Sequence, residues 1–398
     1  MALSEQTALK RPRDRKAQIA DAAAGLFREL GYHRVGVEDI ASSVGITGRA
    51  IYRHFANKQD VLAHVVLGGI AQLEAAVVEG DATTDPADRL DEMVRALASV
   101  SLEQRNLGVL IRRESRHLDD EQRREVQRRA DAVVLGVGLV LRAVRPELAT
   151  ADADLLVRSA LAVLASPSYH TVAAPRSAEL LLSGMATAVL RTTALPRPEP
   201  AATASSPGGG DSLATRASRR EAVLAVAIEL LAQRGYAGVR MEDVGAAAGI
   251  AGPSIYEHFA GKPDLLMAAL TRGAEWLELG LTRALAAGRG PIETLELVLR
   301  SYVDFMFQHP DLMGVFLSET IYLPDEERHA LRRVQHEYIS EWVRLLVAVR
   351  PDLAQAEARF VVQGVVGLVN DYVQGGRRHR RVDLGDVLAD VGFEALVP

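Results

Sequence analysis

Apolar residues along positions 31–62 recur at helical spacing, break once, and resume. Val37, Ile40, Ala41 and Val44 put one apolar face on a first short helix. Gly45 follows, a residue free to take the left-handed conformation that ends a helix and turns the chain. Thr47 stands where the next helix needs its cap, and Ile51 and Phe55 share that helix's inner face. At about 100° per residue, Arg49, Tyr52 and Arg53 then point outward, with His54 on the flank. Burying Ile and Phe while displaying two arginines and a tyrosine is what a DNA recognition helix requires. Upstream, residues 14–30 carry Ile19, Ala23, Leu26, Phe27 and Leu30 on one side, and Gly31 stops that helix. Downstream, a long helix starts near Lys58, whose ammonium is placed to reach a phosphate attracted by the helix N-terminus.

The same stretch returns at 235–266. The offset is constant (235 − 31 = 204), without a gap, and 16 of the 32 positions are identical, among them Gly45/Gly249, Tyr52/Tyr256, His54/His258 and Lys58/Lys262. AVRPELA from Ala143 matches AVRPDLA from Ala348 at offset 205, so the duplication covers a whole domain and not just the helix-turn-helix. A period this long means two complete domains and not a solenoid.

Between the copies, residues 59–193 read as helical, with breaks near 81–86, 118–120, 145–151 and 166–175. The run 112–129 mixes both charge signs and reads as a solvated face, with His117 a surface residue within it. The helices at 152–164 and 176–192 are apolar around most of their circumference and must be covered, which suits packing on a second bundle. Residues 194–215, dense in Pro, Gly, Ala and Ser, form a linker whose GGG lacks the strand and the Lys-Ser/Thr of a phosphate loop. The expected organisation is all-α: a basic arm at 1–12, helix-turn-helix domains at 13–60 and 216–264, helical ligand or dimerisation domains at 61–193 and 265–398, and the linker between.

Composition narrows the function. No cysteine is present, which removes disulfides, zinc–thiolate sites and thiol nucleophiles. Neither paired carboxylates in an apolar setting nor a metal-ligand spacing stands out, so no enzyme, metal or cofactor is expected. The longest apolar run, 132–141, is too short to span a bilayer, and no signal-peptide core follows the basic start; a cytoplasmic protein without a membrane partner is the expectation. The chain's net charge of −6 does not oppose DNA binding, because only the contacting face matters. Residues 10–62 hold ten Lys/Arg against six Asp/Glu (10 − 6 = +4), whereas 214–266 hold six of each (6 − 6 = 0), so the copies should bind phosphate unequally. The lead-in of Lys10, Arg11, Arg13, Arg15 and Lys16 is either a solvated tail or an arm on DNA, and RRHRR at 377–381 reads as a solvated loop.

Gly31-Tyr32, Glu38-Asp39-Ile40-Ala41, Gly45-Ile46, Ile51-Tyr52, His54-Phe55 and Lys58, with their second set, resemble the TetR family of transcriptional regulators. The tandem arrangement is similar to the double-domain TetR regulators of actinobacteria, some of which resemble repressors of lipid or sterol uptake and degradation genes. The resemblance implies a ligand-released repressor whose paired recognition helices enter successive major grooves of double-stranded operator DNA. It places the DNA face at Arg34, Thr47, Arg49, Tyr52, His54 and Lys58, and at Arg240, Ser254, Tyr256, His258 and Lys262. Arg49 becomes Pro253 and Arg53 becomes Glu257, so the second copy lacks both outward cations. One chain is therefore expected to act as a pseudo-dimer on an asymmetric operator, with higher oligomers open; the alternative is a ligand-binding module in which the first helix-turn-helix alone contacts DNA. Finally, residues 56–168 contain no Phe, Tyr or Trp, while 260–372 contain ten. Those rings either fill a larger core or wall a pocket; the contrast favours a pocket for a small apolar effector, such as a lipid or sterol derivative, among Trp276, Phe305, Phe316, Tyr322 and Trp342.

Overall fold

The computed structural model describes residues 15–78, 85–193, 195, 219–250, 252–374 and 383–398, all helix, turn or loop. The basic arm at 1–12, the run at 377–381 and, apart from Leu195, the linker at 194–215 lie outside the described residues. Two compact units divide at Pro146/Glu147.

The first unit holds α1 (Arg15–Leu30), α2 (Val37–Ser43), α3 (Gly48–Ile51), α4 (Lys58–Val78), α5 (Pro86–Glu103), α6 (Leu107–Val109) and α7 (Asp120–Val144). Local chemistry sets the ends. Asp85 accepts the Ala87 N–H at 3.0 Å, and Pro86 opens α5 where no amide is missed. Asp119 and Gln122 cap α7 reciprocally, Asp119 Oδ1 taking the Gln122 N–H at 2.7 Å. Between α6 and α7 the chain winds more widely over Leu110–Glu114, the Ser115 N–H reaching back to the Leu110 carbonyl.

Helix α4 packs on α1, α5 and α7, and Arg129 of α7 clamps Glu74 of α4 at 3.1 Å. Among the described residues it is the one helix long and apolar enough to cross a membrane by length and composition. Inside the unit one side of it is covered by packing, with Val61, Leu62, Val66 and Ile70 buried. The same core continues into the helix-turn-helix through Ile19, Phe27, Ile40, Ile51 and Phe55, and outward to Leu110, Leu118 and Val126. The helix-turn-helix and the bundle thus share one core, so the former is not a loosely tethered head.

The second unit holds α8 (Thr150–Ala165), α9 (Ala178–Arg191), α10 (Arg219–Arg234), α11 (Met241–Ala247), α12 (Lys262–Ala287), α13 (Pro291–Gln308), α14 (Pro310–Ser318), α15 (Asp325–Val349), α16 (Gln355–Gln374) and α17 (Leu384–Leu396). Sequence repeats and compact units therefore do not coincide. The last two helices of the first repeat, α8 and α9, pack on α16 and α17, the last two of the second. This is where their apolar circumference is covered: Leu155, Leu156, Val163, Leu182 and Val189 are buried, as are Phe360, Val365 and Leu368 of α16. Polar groups fix the register of this packing. Tyr372 of α16 donates to the Leu155 carbonyl at 2.9 Å and lies 3.0 Å from Ser159 Oγ, while Ser177 donates to Glu357.

Two glycines of α16 allow the close approach. A Cβ on Gly367 would stand 2.8 Å from Ser166 Cβ and 3.3 Å from its Cα, whereas one on Gly364 would meet the flexible end of Met185 at 2.5 Å. We expect Gly367→Ala to lower full-chain stability by about 1–3 kcal/mol through overpacking, and Gly364→Ala by less, because a methionine tip can turn away. Urea unfolding midpoints of the two variants decide this; equal midpoints would show the backbone spacing to be unimportant.

Candidate nucleic-acid interface

Gly45 and Gly249 both adopt φ +68°, the left-handed turn between the paired helices, at no cost that a side chain would incur. Helix α2 begins with the Gly36 N–H held by Asp39 at 2.7 Å, and α11 begins with the Arg240 N–H held by Asp243 at 3.0 Å. In the first copy the turn leads into α3, with Ile51 and Phe55 buried beneath it. Thr47 occupies the N-cap position, but its side chain makes no capping hydrogen bond, a correction to its expected role; it is exposed. Arg34, Arg49, Arg53 and His54 are exposed, and Tyr52 is 56 % exposed. The outward face therefore assembles as the helical spacing requires.

The second copy differs in winding and in charge. Residues Gly252–Glu257 wind into a tighter helix of about three residues per turn where α3 is an α-helix. Ile255 and Phe259 are buried as their counterparts are; Arg240, Tyr256 and Glu257 are exposed, and Ser254 and His258 half-buried. The acidic Glu257 thus takes the outward place of Arg53. The Arg220 guanidinium covers the Phe259 ring at 4.1 Å, as Lys16 covers Phe55 at 5.2 Å, so that member of the basic lead-in is engaged with its own domain.

Lys58 and Lys262 are the main correction. The Lys58 ammonium donates to the carbonyls of Tyr32 and Val35, both at 2.8 Å, and sits 4.1 Å from the Tyr32 ring centre. Lys262 repeats this with Tyr236 at 2.6 Å, Val239 at 2.9 Å and the Tyr236 ring at 4.1 Å. Both side chains are half-buried, and desolvation lowers both pKa values; for Lys58, Asp39 and Glu114 pull the other way. An amine already holding two carbonyls and a ring face is spent on ordering the loop after α1 or α10, so these lysines are not placed to reach phosphate.

His117 is corrected too. It stacks on Tyr32 with centroids 4.8 Å apart and meets the His33 ring edge at 4.4 Å, its side chain only 14 % exposed. Glu114 Oε2, 3.6 Å from His117 Nε2, favours a proton there. Burial, with the charges of His33, Arg116, Lys58 and Arg113, outweighs it and lowers His117 to about 4. Alternating charges in the run 112–129 concealed this inward position. The signal that finds it is the repeat itself, since offset 205 pairs His117 with the ring of Tyr322, which stacks on Tyr236 at 5.0 Å.

Tyr322 therefore belongs beneath the second helix-turn-helix and does not join the aromatic group assigned to the effector. Trp276 and Phe305 do meet, edge to face at 6.0 Å, with His309 4.3 Å from Trp276. Phe316 lies one turn of α12 away, against Gly273. Trp342 is fully buried beside Tyr302 and Tyr338, with centroids 5.8 and 6.2 Å away, and Tyr302 donates to Asn370 at 2.5 Å.

Two outcomes test this geometry. Replacing Lys58 with Ala should destabilise the full chain by about 1–3 kcal/mol by orphaning two part-buried carbonyls, yet leave the slope of log affinity against log salt unchanged. A slope shallower by about one would return Lys58 to the phosphate-contacting set. For His117, the unfolded chain takes up a proton near pH 6.5 and the folded one only near 4, so stability falls as pH drops through that window. His117→Tyr should remove of order 1–2 kcal/mol of that acid sensitivity, read as urea midpoints at pH 7 and 4.5; an unchanged pH dependence would contradict the buried placement.

The comparisons agree with this architecture. The model for "Bacterial regulatory proteins, tetR family" matches residues 19–65 and again 223–269, and that for "Tetracyclin repressor-like, C-terminal domain" matches 83–168 and 288–375. The chain is 27 % identical over 168 residues to the HTH-type transcriptional activator FasR of Mycolicibacterium smegmatis, covering 42 % of this chain and 76 % of that one. It is 28 % identical over 152 residues to the HTH-type transcriptional repressor KstR2 of Mycobacterium tuberculosis, covering 36 % and 74 %. A third relative, the Fatty acid metabolism regulator protein of Bacillus subtilis, is 41 % identical over 54 residues, 14 % of this chain and 28 % of that one. With both family models matching twice and together spanning well over half of its length, the chain belongs to the TetR family, a DNA-binding transcriptional regulator and not an enzyme, built from two tandem TetR-like repeats.

Proposed function

We propose that one chain works as a pseudo-dimer, setting two unequal recognition elements on an asymmetric operator and releasing it when a small apolar effector binds. The observation that carries this reading is the packing of α8 and α9 on α16 and α17, which pairs the closing helices of the two repeats within one chain. The asymmetry follows from the outward faces: Arg49 and Arg53 of the first copy cannot read the same half-site as a tight turn bearing Glu257. A second reading, in which the first helix-turn-helix alone contacts DNA, draws support from that same acidic residue.

Arg49→Ala or Tyr52→Ala should weaken specific binding by about 1–3 kcal/mol if either reads a base, and Tyr256→Ala by less. Gel shifts on DNA flanking the chain's own gene measure this, and footprinting gives the symmetry. A perfect palindrome bound by two chains through first copies alone would reject the pseudo-dimer.

The effector belongs, on this reading, in the second repeat's bundle near Trp276, Phe305, Phe316 and Trp342, where ring faces and a few polar groups suit a lipid or sterol derivative. The resemblance to regulators of lipid and sterol genes leans the same way, as does the name of the Bacillus relative. Both tryptophans lie in this repeat, so titrating the full chain with long-chain acyl compounds and sterols should change tryptophan fluorescence saturably. Calorimetric binding that leaves the fluorescence of both tryptophans unaltered would move the site elsewhere.

A further inference from the structure

Two buried carboxylates stand outside the DNA face, and the charge pattern of the chain hides the first of them. Glu114 and Glu319 occupy equivalent positions at offset 205, and each is only 2 % exposed. Each carboxylate reaches across to the same backbone group. Glu114 Oε2 accepts the Tyr32 N–H at 3.2 Å, and Glu319 Oε2 accepts the Tyr236 N–H at 2.8 Å. Those amides follow Gly31 (φ +79°) and Gly235 (φ +67°), the residues that end the first helix of each DNA-binding part. The carboxylates sit at the ends of the winding Leu110–Glu114 and of α14, which pack on α1 and α10 respectively.

Burying a carboxylate is costly unless its partners repay it, and one neutral amide repays little. The surroundings of the two differ. Beside Glu114 stands Arg113, which pairs with it and also donates to the Phe27 and Arg28 carbonyls at the end of α1, both at 2.7 Å. Beside Glu319 stands Ser318, whose single hydroxyl proton is shared between Glu319 Oε1 at 2.7 Å and the Gly314 carbonyl at 2.8 Å. His117 and His33 are replaced by Tyr322 and Ala237. The carboxylate-to-amide reach is what the copies keep while its neighbours change.

We propose that Glu114 and Glu319 are positioning residues for DNA recognition. Each fixes the angle at which its helix-turn-helix leaves the bundle by gripping the first amide after the left-handed glycine. Arg113 gives the first copy a second hold, on the end of α1 itself, so the two recognition elements are unequally restrained. Both carboxylates are buried and act through the loop that Lys58 or Lys262 also orders.

The test uses the full chain and a duplex that the wild-type chain selects from a randomised library. Glu114→Gln and Glu319→Gln keep an oxygen at the same reach, whereas Glu114→Asp and Glu319→Asp are one methylene short. The Asp variants should lose at least tenfold in affinity, each thinning the footprint over a different half, with faster exchange of the Tyr32 or Tyr236 amide. The Gln variants should stay within about threefold of wild type, a rescue that loss of fold would not give. Asp variants binding within twofold of wild type despite faster exchange, or Gln variants falling as far as Asp, would overturn the proposal. Should Glu114→Asp fail to fold, Arg113→Ser decides for the first copy: a loss of at least threefold confined to one half supports it, and wild-type affinity overturns it. A wild-type footprint covering one half alone would reject the two-headed reading while leaving the Glu114 arm intact.

Discussion

Helices α8 and α9 cannot stand alone in water. Their apolar residues run round most of the helix, with Ala153, Leu155, Leu156, Val157, Ala160, Ala162, Val163 and Leu164 of α8 all buried. Leaving such a surface exposed would forfeit roughly 1.5–3 kcal/mol for each large aliphatic side chain. Such a surface needs a cover from other helices. Here α16 and α17 of the same chain supply it, with the small residues Gly364, Gly367 and Ser166 letting helices approach and Tyr372 bonding across. On the pseudo-dimer reading proposed above, joining the two partners in one chain removes the concentration dependence of assembly and frees the two copies to diverge.

The divergence is uneven in a physically sensible way. Residues that shape each DNA-binding part are kept: the positive-φ glycines, the buried Ile and Phe of the recognition segment, the lysine that holds two carbonyls, the tyrosine beneath it and the buried glutamate. Residues that face outward are not, Arg49 and Arg53 giving way to Pro253 and Glu257. Internal hydrogen bonds and core contacts are coupled, so changing one member strands another. Solvent-facing positions carry no such penalty, and they can change without unfolding the scaffold.

Much of this is legible in the amino-acid sequence. The period of apolar positions gave the helices, Gly45 and Gly249 gave the turns, and the offsets of 204 and 205 gave the duplication, because each depends on local geometry or on bare residue identity. The outward placement of Arg49, Tyr52 and Arg53 follows from helical spacing alone, and these residues are exposed. What periodicity could not supply was the direction of long or charged side chains. Lys58 looked like a phosphate contact because it opens a helix, but an ammonium on four methylenes can fold back as easily as reach out, and two carbonyls 2.8 Å away hold it inward. Glu114 and His117 looked solvated because their neighbours are charged, yet one turn of wider winding brings both under Tyr32.

The sequence by itself determined that this is an all-helical, duplicated chain with two helix-turn-helix elements of unequal outward charge, since composition, period and repeat are properties of the chain read along its length. Only the tertiary structure decided where the compact units divide and which rings keep company. The boundary falls at Pro146/Glu147 and not at the linker, because apolar burial follows the surfaces that fit and not the order of the repeats. Tyr322 stacks on Tyr236 and leaves Trp276, Phe305, Phe316 and Trp342 to the bundle for the same reason. Contacts between residues tens to hundreds of positions apart, such as Tyr372 with Leu155, are set by packing, which no local pattern encodes.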